Sequence, residues 1–273
     1  MRIDSVLAPI DFSPVSTVAL NCAIAWARRF RANLTILHVR ESRDPDADQV
    51  NLKLSGLVAP EDQDDLNMHA LTMHGKAREQ ILASIRDRHP DLVVMGTGST
   101  TFGVLRHATV SMLTVNAESR CLAFHRFLFA TDLSGESDAV LQSVLDIAQA
   151  AKADVALLHS VEVGLLHGTP PMGVYITPEY MENARAKLND VVSKAAERNV
   201  SIEPVLTEGT PAQMILKTAE EKNASLIVIA TAHKGLLERA LLGSTAERVI
   251  RKSKIPVLSI PKHVRTDVGQ RAA

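Results

Sequence analysis

The side chains able to do chemistry cluster in two repeated settings. The stretch "ATAHKGLLERALLGSTAERVIRKSKIPVLSI", Ala230 to Ile260, runs from an apolar segment through a loop to Gly243-Ser244-Thr245, then into a helix-like segment and a second apolar run. A hydroxyl and free backbone amides at a helix start attract phosphate, because the N-terminal end carries partial positive charge. An aspartate, Asp11 or Asp132, follows an apolar run elsewhere and offers a carboxylate to a hydroxyl-bearing ligand. Each feature also has a purely structural reading. "STAE" places Glu247 three residues after Ser244, as in a capping box. Asp11 and Asp132 equally suit turns ahead of serine-capped helices.

Other chemistries find little support. There is no Gly-x-Ser-x-Gly elbow, no convincing Cys-His pair and no close carboxylate dyad, so no catalytic residue is assigned and the chain is expected not to be an enzyme. "HGKA" at His74 lacks the upstream glycine and the hydroxyl of a P-loop. His69 and His74, five apart on one strand, face opposite ways, and His38 and His159 read as hydrogen-bonded histidines at strand ends. No metal site is expected. The formal net charge of −1 and an aromatic content of 3% argue against a nucleic-acid partner. Cys22 and Cys121 are too few for a disulfide framework and lack metal-ligand spacing, so a reducing compartment is expected. The opening "MRIDSVLAPI" has no leader-like apolar core, and no run approaches the roughly 20 apolar residues of a membrane span. These readings predict a cytoplasmic protein with no membrane partner.

The elements that must position these residues are written twice. "VLAPIDFSPVSTVALNCAIAWARRFRANLTILHV" (Val6 to Val39) lies over "FLFATDLSGESDAVLQSVLDIAQAAKADVALLHS" (Phe127 to Ser160) at an offset of 121, placing Asp11 on Asp132, Ser13 on Ser134 and His38 on His159. Further on the offset becomes 134, so that Gly75 meets Gly209 and Leu92 meets Leu226. "SVLAPI" reads as a strand buried on both faces, and Ser13-Pro14 as an N-cap with proline at the first helical position. Each half has the order β-α-β-(α)-β-α-β-α-β, which predicts a doubly wound parallel sheet. The boundaries follow as 1–124, 125–263 and a tail, 264–273. In the second half a helix is predicted from Pro178, capped by Thr177. Its counterpart in the first half is acidic and weakly periodic, so a shortened helix or a loop is predicted there. Ligands of such sheets bind beyond the carboxyl ends of the strands where strand order reverses. The final helix of each half is predicted to begin near Thr109 and near Gly243.

At these residues the chain resembles the universal stress protein family. The likeness is carried by "LAPIDFS" with "LFATDLS", by "LLHS" and "EGTPAQMIL", and above all by the block from Ala230 to Ile260. The repeat extends it over nearly the whole chain, as a tandem member. The resemblance implies two Rossmann-like domains, similar to adenine nucleotide alpha hydrolases, forming an intramolecular pseudo-dimer. It also implies a G-x2-G-x9-G-S/T loop around the phosphates of ATP or AMP, the first aspartate near the adenosine, and backbone after the second strand against the base. Carried over, the second-half site is Asp132, Ser160, Ala230, His233, Gly243, Ser244 and Thr245. Two of the loop glycines are replaced there, by Ala230 and His233, and the histidine either obstructs phosphate or donates to it. The weaker first-half set is Asp11, Val39, Gly96 and Ser99, with Thr109-Val110 where the terminal Gly-Ser is expected.

The function this implies is a stress-response regulatory module holding at most one adenine nucleotide, in the second half. The alternatives are an interaction scaffold with vestigial pockets and, less favoured, a slow ATPase. The partners expected are the chain itself, the halves pairing "RCLAF" beside "PVLSI" with homodimerisation open, and an unidentified protein.

Overall fold

The computed structural model describes residues 1–40, 47–121, 124–162, 178–195, 198–231 and 242–262. The first half runs β1 (Ser5–Ile10), α1 (Pro14–Phe30), β2 (Asn33–Arg40), α2 (Ala47–Ser55), α3 (Pro60–Asp65), β3 (His69–His74), α4 (Ala77–Arg88), β4 (Leu92–Gly96), α5 (Ser99–Leu105) and β5 (Ser111–Val115). The second runs β6 (Arg126–Ala130), α6 (Gly135–Ala151), β7 (Asp154–Val161), α7 (Pro178–Ala195), β8 (Ile202–Glu208), α8 (Pro211–Glu221), β9 (Leu226–Thr231), α9 (Ser244–Lys252) and β10 (Val257–Pro261). Continuous apolar runs make strands here because both faces of the sheet are covered. Val6, Ala8 and Ile10 enter one core while Leu7 enters the other.

Local signals account for the helices. Ser13 and Ser134 cap α1 and α6, their hydroxyls accepting from the amides of Ser16 and Ser137. Where α7 runs as one helix of 18 residues, the first half has two short ones. Gly56 ends the first of these, and Pro60 opens the second at its first turn. The predicted helix from Pro178 is present, while its cap, Thr177, lies outside the described residues.

All ten strands form one sheet in the order β3-β2-β1-β4-β5-β10-β9-β6-β7-β8. Pairing is parallel within each half and antiparallel at the single seam between β5 and β10. There Leu113 faces Leu258, flanked by Thr114 opposite Val257 and Met112 opposite Ser259. The flanking pairs are images of each other, so a local twofold axis passes between the two leucines, as in an isologous dimer. The axis is also visible in the helices. Arg106, at the C-cap of α5, forms an ion pair with Glu247 of α9, and its image is Arg251 of α9 stacked 4.0 Å from the ring of Phe102 in α5. The predicted pairing of halves is present, but β5 is "SMLTV" rather than "RCLAF". Arg120 and Cys121 belong instead to the connector, in which Asn116 and Ser119 donate hydrogen bonds to the carbonyls of Ser253 and Lys254.

The cysteines correct a second expectation. Cys22 of α1 and Cys121 of the connector form a disulfide across 99 positions, so the pair does not exist as free thiols here. Helix α1 and the connector meet beside the axis, where Trp26 and Phe30 each meet Phe124 edge to face and lie tilted by 32° to each other. Neither residue count nor spacing in the sequence reveals that approach. Among the described residues no helix is long and apolar enough to cross a membrane.

Candidate functional site

In each half strand order reverses between the first and fourth strands, β1 with β4 and β6 with β9, and a cavity opens at their carboxyl ends. The turn leaving the first strand is built identically on both sides. Asp11 and Asp132 each accept the amide of the serine two residues on, at 3.0 Å. The intervening Phe12 and Leu133 take left-handed backbone, at φ of 62° and 57°, a conformation costing about 1–2 kcal/mol for such residues. Backbone strain of this kind concentrates where a chain is shaped for function. His38 and His159 donate from Nδ1 to the carbonyls of Ile10 and Thr131, at 2.8 and 2.9 Å, tying the second strand to the turn. Both histidines are therefore hydrogen-bonded strand-end residues, as the sequence predicts.

The second-half cavity, of about 260 Å³, is lined by Asp132, Ser160, Ala230 and Thr245 among others. Four predicted site residues thus converge. Ser160 donates its hydroxyl to the Gly209 carbonyl at 2.9 Å, and its backbone in β7 pairs with Thr207 of β8. Gly243 caps α9 at φ 79°, a left-handed value that favours glycine. Ser244 is consequently the first helical residue and not the cap, and the expected capping box is absent. The carboxylate of Glu247 goes instead to Arg251 and Arg106, which hold its carboxyl below its ordinary range. The hydroxyl of Ser244 is exposed and hydrogen-bonds to none of the described residues. Gly243 and Ser244 sit beside the cavity at the helix start, outside its lining. His233 lies outside the described residues.

A residue that no motif marks completes this cavity. Lys262, immediately after β10, places Nζ 2.7 Å from Asp132 Oδ2 and 3.5 Å from Glu136, with its side chain only 11% exposed. It spans β9 to do so, two strand spacings or about 9–10 Å. Asp132 Oδ1 accepts from the Ser134 amide and from the hydroxyls of Ser134 and Ser137. Burial opposes ionisation of this carboxyl, but the hydrogen bonds from Lys262, Ser134 and Ser137 outweigh it and hold it far below the usual carboxylate range. The only sequence signal is a lysine following the last strand where the first half has an alanine.

The first-half cavity, of about 200 Å³, brings together all four predicted residues, Asp11, Val39, Gly96 and Ser99. Asp11 is also depressed, burial again being outweighed by Ser13 and Ser16, yet no cation pairs with it among the described residues. Gly96 has a packing reason to be glycine, since a Cβ there would lie 2.5 Å from Val15 Cγ1 in α1. The expected helix start at Thr109 is corrected: α5 begins at Ser99, and Thr109 and Val110 precede β5. Gly98-Ser99-Thr100 therefore corresponds to Gly243-Ser244-Thr245 at an offset of 145, and Met112, Leu113 and Thr114 to Val257, Leu258 and Ser259. The halves differ by a deletion in the first. Two residues join β4 to α5, whereas twelve join β9 to α9.

Comparison with known proteins places this geometry. The profile of the universal stress protein family matches residues 2–116 and again 123–261. A universal stress protein of Methanocaldococcus jannaschii is 36% identical over 141 residues, covering 51% of this chain and 83% of that protein. One from Mycolicibacterium smegmatis is 26% identical over 211 residues, covering 70% of each. The crystal structure of a universal stress protein from Archaeoglobus fulgidus shares the fold at a TM-score of 0.70, with 20% identity over 96% of this chain and 100% of that one. With one profile matched twice and nearly the full length of such a fold superposed, the chain belongs to the universal stress protein family, carrying two copies of its domain.

Proposed function

We propose that this stress-response protein is a non-enzymatic regulatory module that holds one adenine nucleotide, ATP or AMP, in its second half. The units of this reading are 1–124 and 125–263, with 264–273 outside both. The observation that carries it is the difference in loop length. Twelve residues between β9 and α9 suffice to wrap a phosphate chain, and two between β4 and α5 do not. The start of α9 supplies the remaining chemistry, with Ser244 bonded to none of the described residues through its side chain and Thr245 at the cavity wall. Asp132 and the backbone at Ser160 stand at the adenosine end, and His233 falls within the loop.

Native mass spectrometry of the purified chain, followed by calorimetric titration with ATP and AMP, tests the reading. One nucleotide per chain is expected, and Ser244→Val is expected to lose affinity while circular dichroism and the unfolding midpoint stay unchanged. Absence of retained nucleotide and of heat at millimolar ATP and AMP overturns it in favour of an interaction scaffold.

A further inference from the structure

Resting on that reading, we infer that Lys262 determines sugar specificity: by occupying Asp132, it makes the second pocket read base and phosphate while ignoring the ribose hydroxyls. A carboxylate has about four lone-pair sites for donors. In Asp132 three donors converge on Oδ1, from Ser134 and Ser137, and Lys262 takes Oδ2 at 2.7 Å. Oδ1 is thereby filled and Oδ2 keeps one lone-pair site, whereas a vicinal diol needs two acceptor positions. The ammonium is itself satisfied, by Asp132, by Glu136 at 3.5 Å and by the Ser134 hydroxyl at 3.4 Å. Its side chain is only 11% exposed at the cavity wall, although the Asp132 carboxylate it meets is 56% exposed, so the lysine is screened from solvent more than its partner is. Exchanging that contact for a neutral hydroxyl replaces a charge-assisted hydrogen bond with a weaker one.

The first half shows the same turn without the lysine. Ala117 stands at the position equivalent to Lys262, and Asp11 accepts the Ser13 amide at Oδ1 with no cation beside it among the described residues. The two cavities share an aspartate, a serine-capped helix and a histidine-tied strand, and they part at the group facing the carboxylate. The burial of the lysine, its 2.7 Å contact and the filled Oδ1 of Asp132 assign that divergence to one side chain on β10's exit.

The test compares ATP with 2′,3′-dideoxy-ATP by calorimetry, in an Asp11→Asn background that mutes the first cavity. The two ligands are expected to bind within about threefold of each other when Lys262 is present. In Lys262→Met the sugar hydroxyls regain their acceptors, and ATP is expected to gain over the dideoxy compound by about tenfold, or about 1.4 kcal/mol. Lys262→Arg retains the ion pair and the original indifference, and Lys262→Met with Asp132→Asn loses the gained preference. Tenfold or greater discrimination with Lys262 in place, or equal affinities in Lys262→Met, overturns the inference and leaves nucleotide binding standing. Failure of every variant to bind either ligand overturns the binding reading, and the inference falls with it.

Discussion

At the scale of single residues, the pairing of Asp132 with Lys262 has a measurable acid–base consequence. The folded-state pKa of Asp132 lies below that of an unfolded aspartate, about 3.9. Its ionised form therefore adds stability at neutral pH, and that contribution falls away as pH drops from the unfolded value through the depressed one. An NMR titration of the Asp132 carboxyl is expected to show a midpoint well below the ordinary range. In Lys262→Met the midpoint is expected to rise while remaining low, because Ser134 and Ser137 still donate to the same carboxylate. A midpoint unmoved by the substitution shows that the pair does not form in solution. None of this is legible from sequence. The aspartates were visible as a repeat, but the lysine enters from a strand joined to β6 only through β9.

At the scale of elements, the close approach of β4 to α1 decides what Gly96 is for. A Cβ at this position would also lie 3.1 Å from the carbonyl carbon and oxygen of Val15, so a helix backbone and not a flexible side chain must give way. Gly96→Ala is expected to lower stability by about 1–3 kcal/mol in denaturant unfolding. Gly98→Ala is expected to be near neutral, because its φ of −175° is ordinary extended backbone and the space beside it is open. Equal effects of the two substitutions refute this assignment. Most elements were readable from local signals: Ser13-Pro14 announces α1, and the weak periodicity of the acidic stretch in the first half announces its shortened helices. The last helix and strand of that half were misplaced for a physical reason. Shortening a surface loop changes closure entropy little and leaves no compositional mark, so the deletion after β4 passes unnoticed. The repeat register carried past that break then puts Thr109 at a helix start and "RCLAF" at the seam, where the chain has β5 and a connector.

At the scale of the whole molecule, the disulfide closes a long loop onto the axis between the halves. For Cys22 and Cys121, 99 positions apart, the chain-entropy account gives about 3–5 kcal/mol. The Cys22→Ser, Cys121→Ser double variant is expected to unfold at lower denaturant by that amount. Fluorescence of Trp26, the one tryptophan, one helical turn from Cys22 and 5.5 Å from the Phe124 ring, reports the transition. An unchanged midpoint shows that the brace adds nothing to stability. The ten-stranded sheet and its seam were foreseeable as an architecture, whereas this brace was not, because it depends on where the connector passes. The leucine pair at the seam has a further consequence, for inheritance rather than for stability. In a dimer of separate identical chains every substitution is written on both sides of the axis at once. Here the facing strand is always present, tethered at high effective concentration whatever the dilution. A change in one half therefore has no forced twin, and the two pockets are free to acquire different histories, as Lys262 opposite Ala117 and twelve residues between β9 and α9 opposite two between β4 and α5 already record.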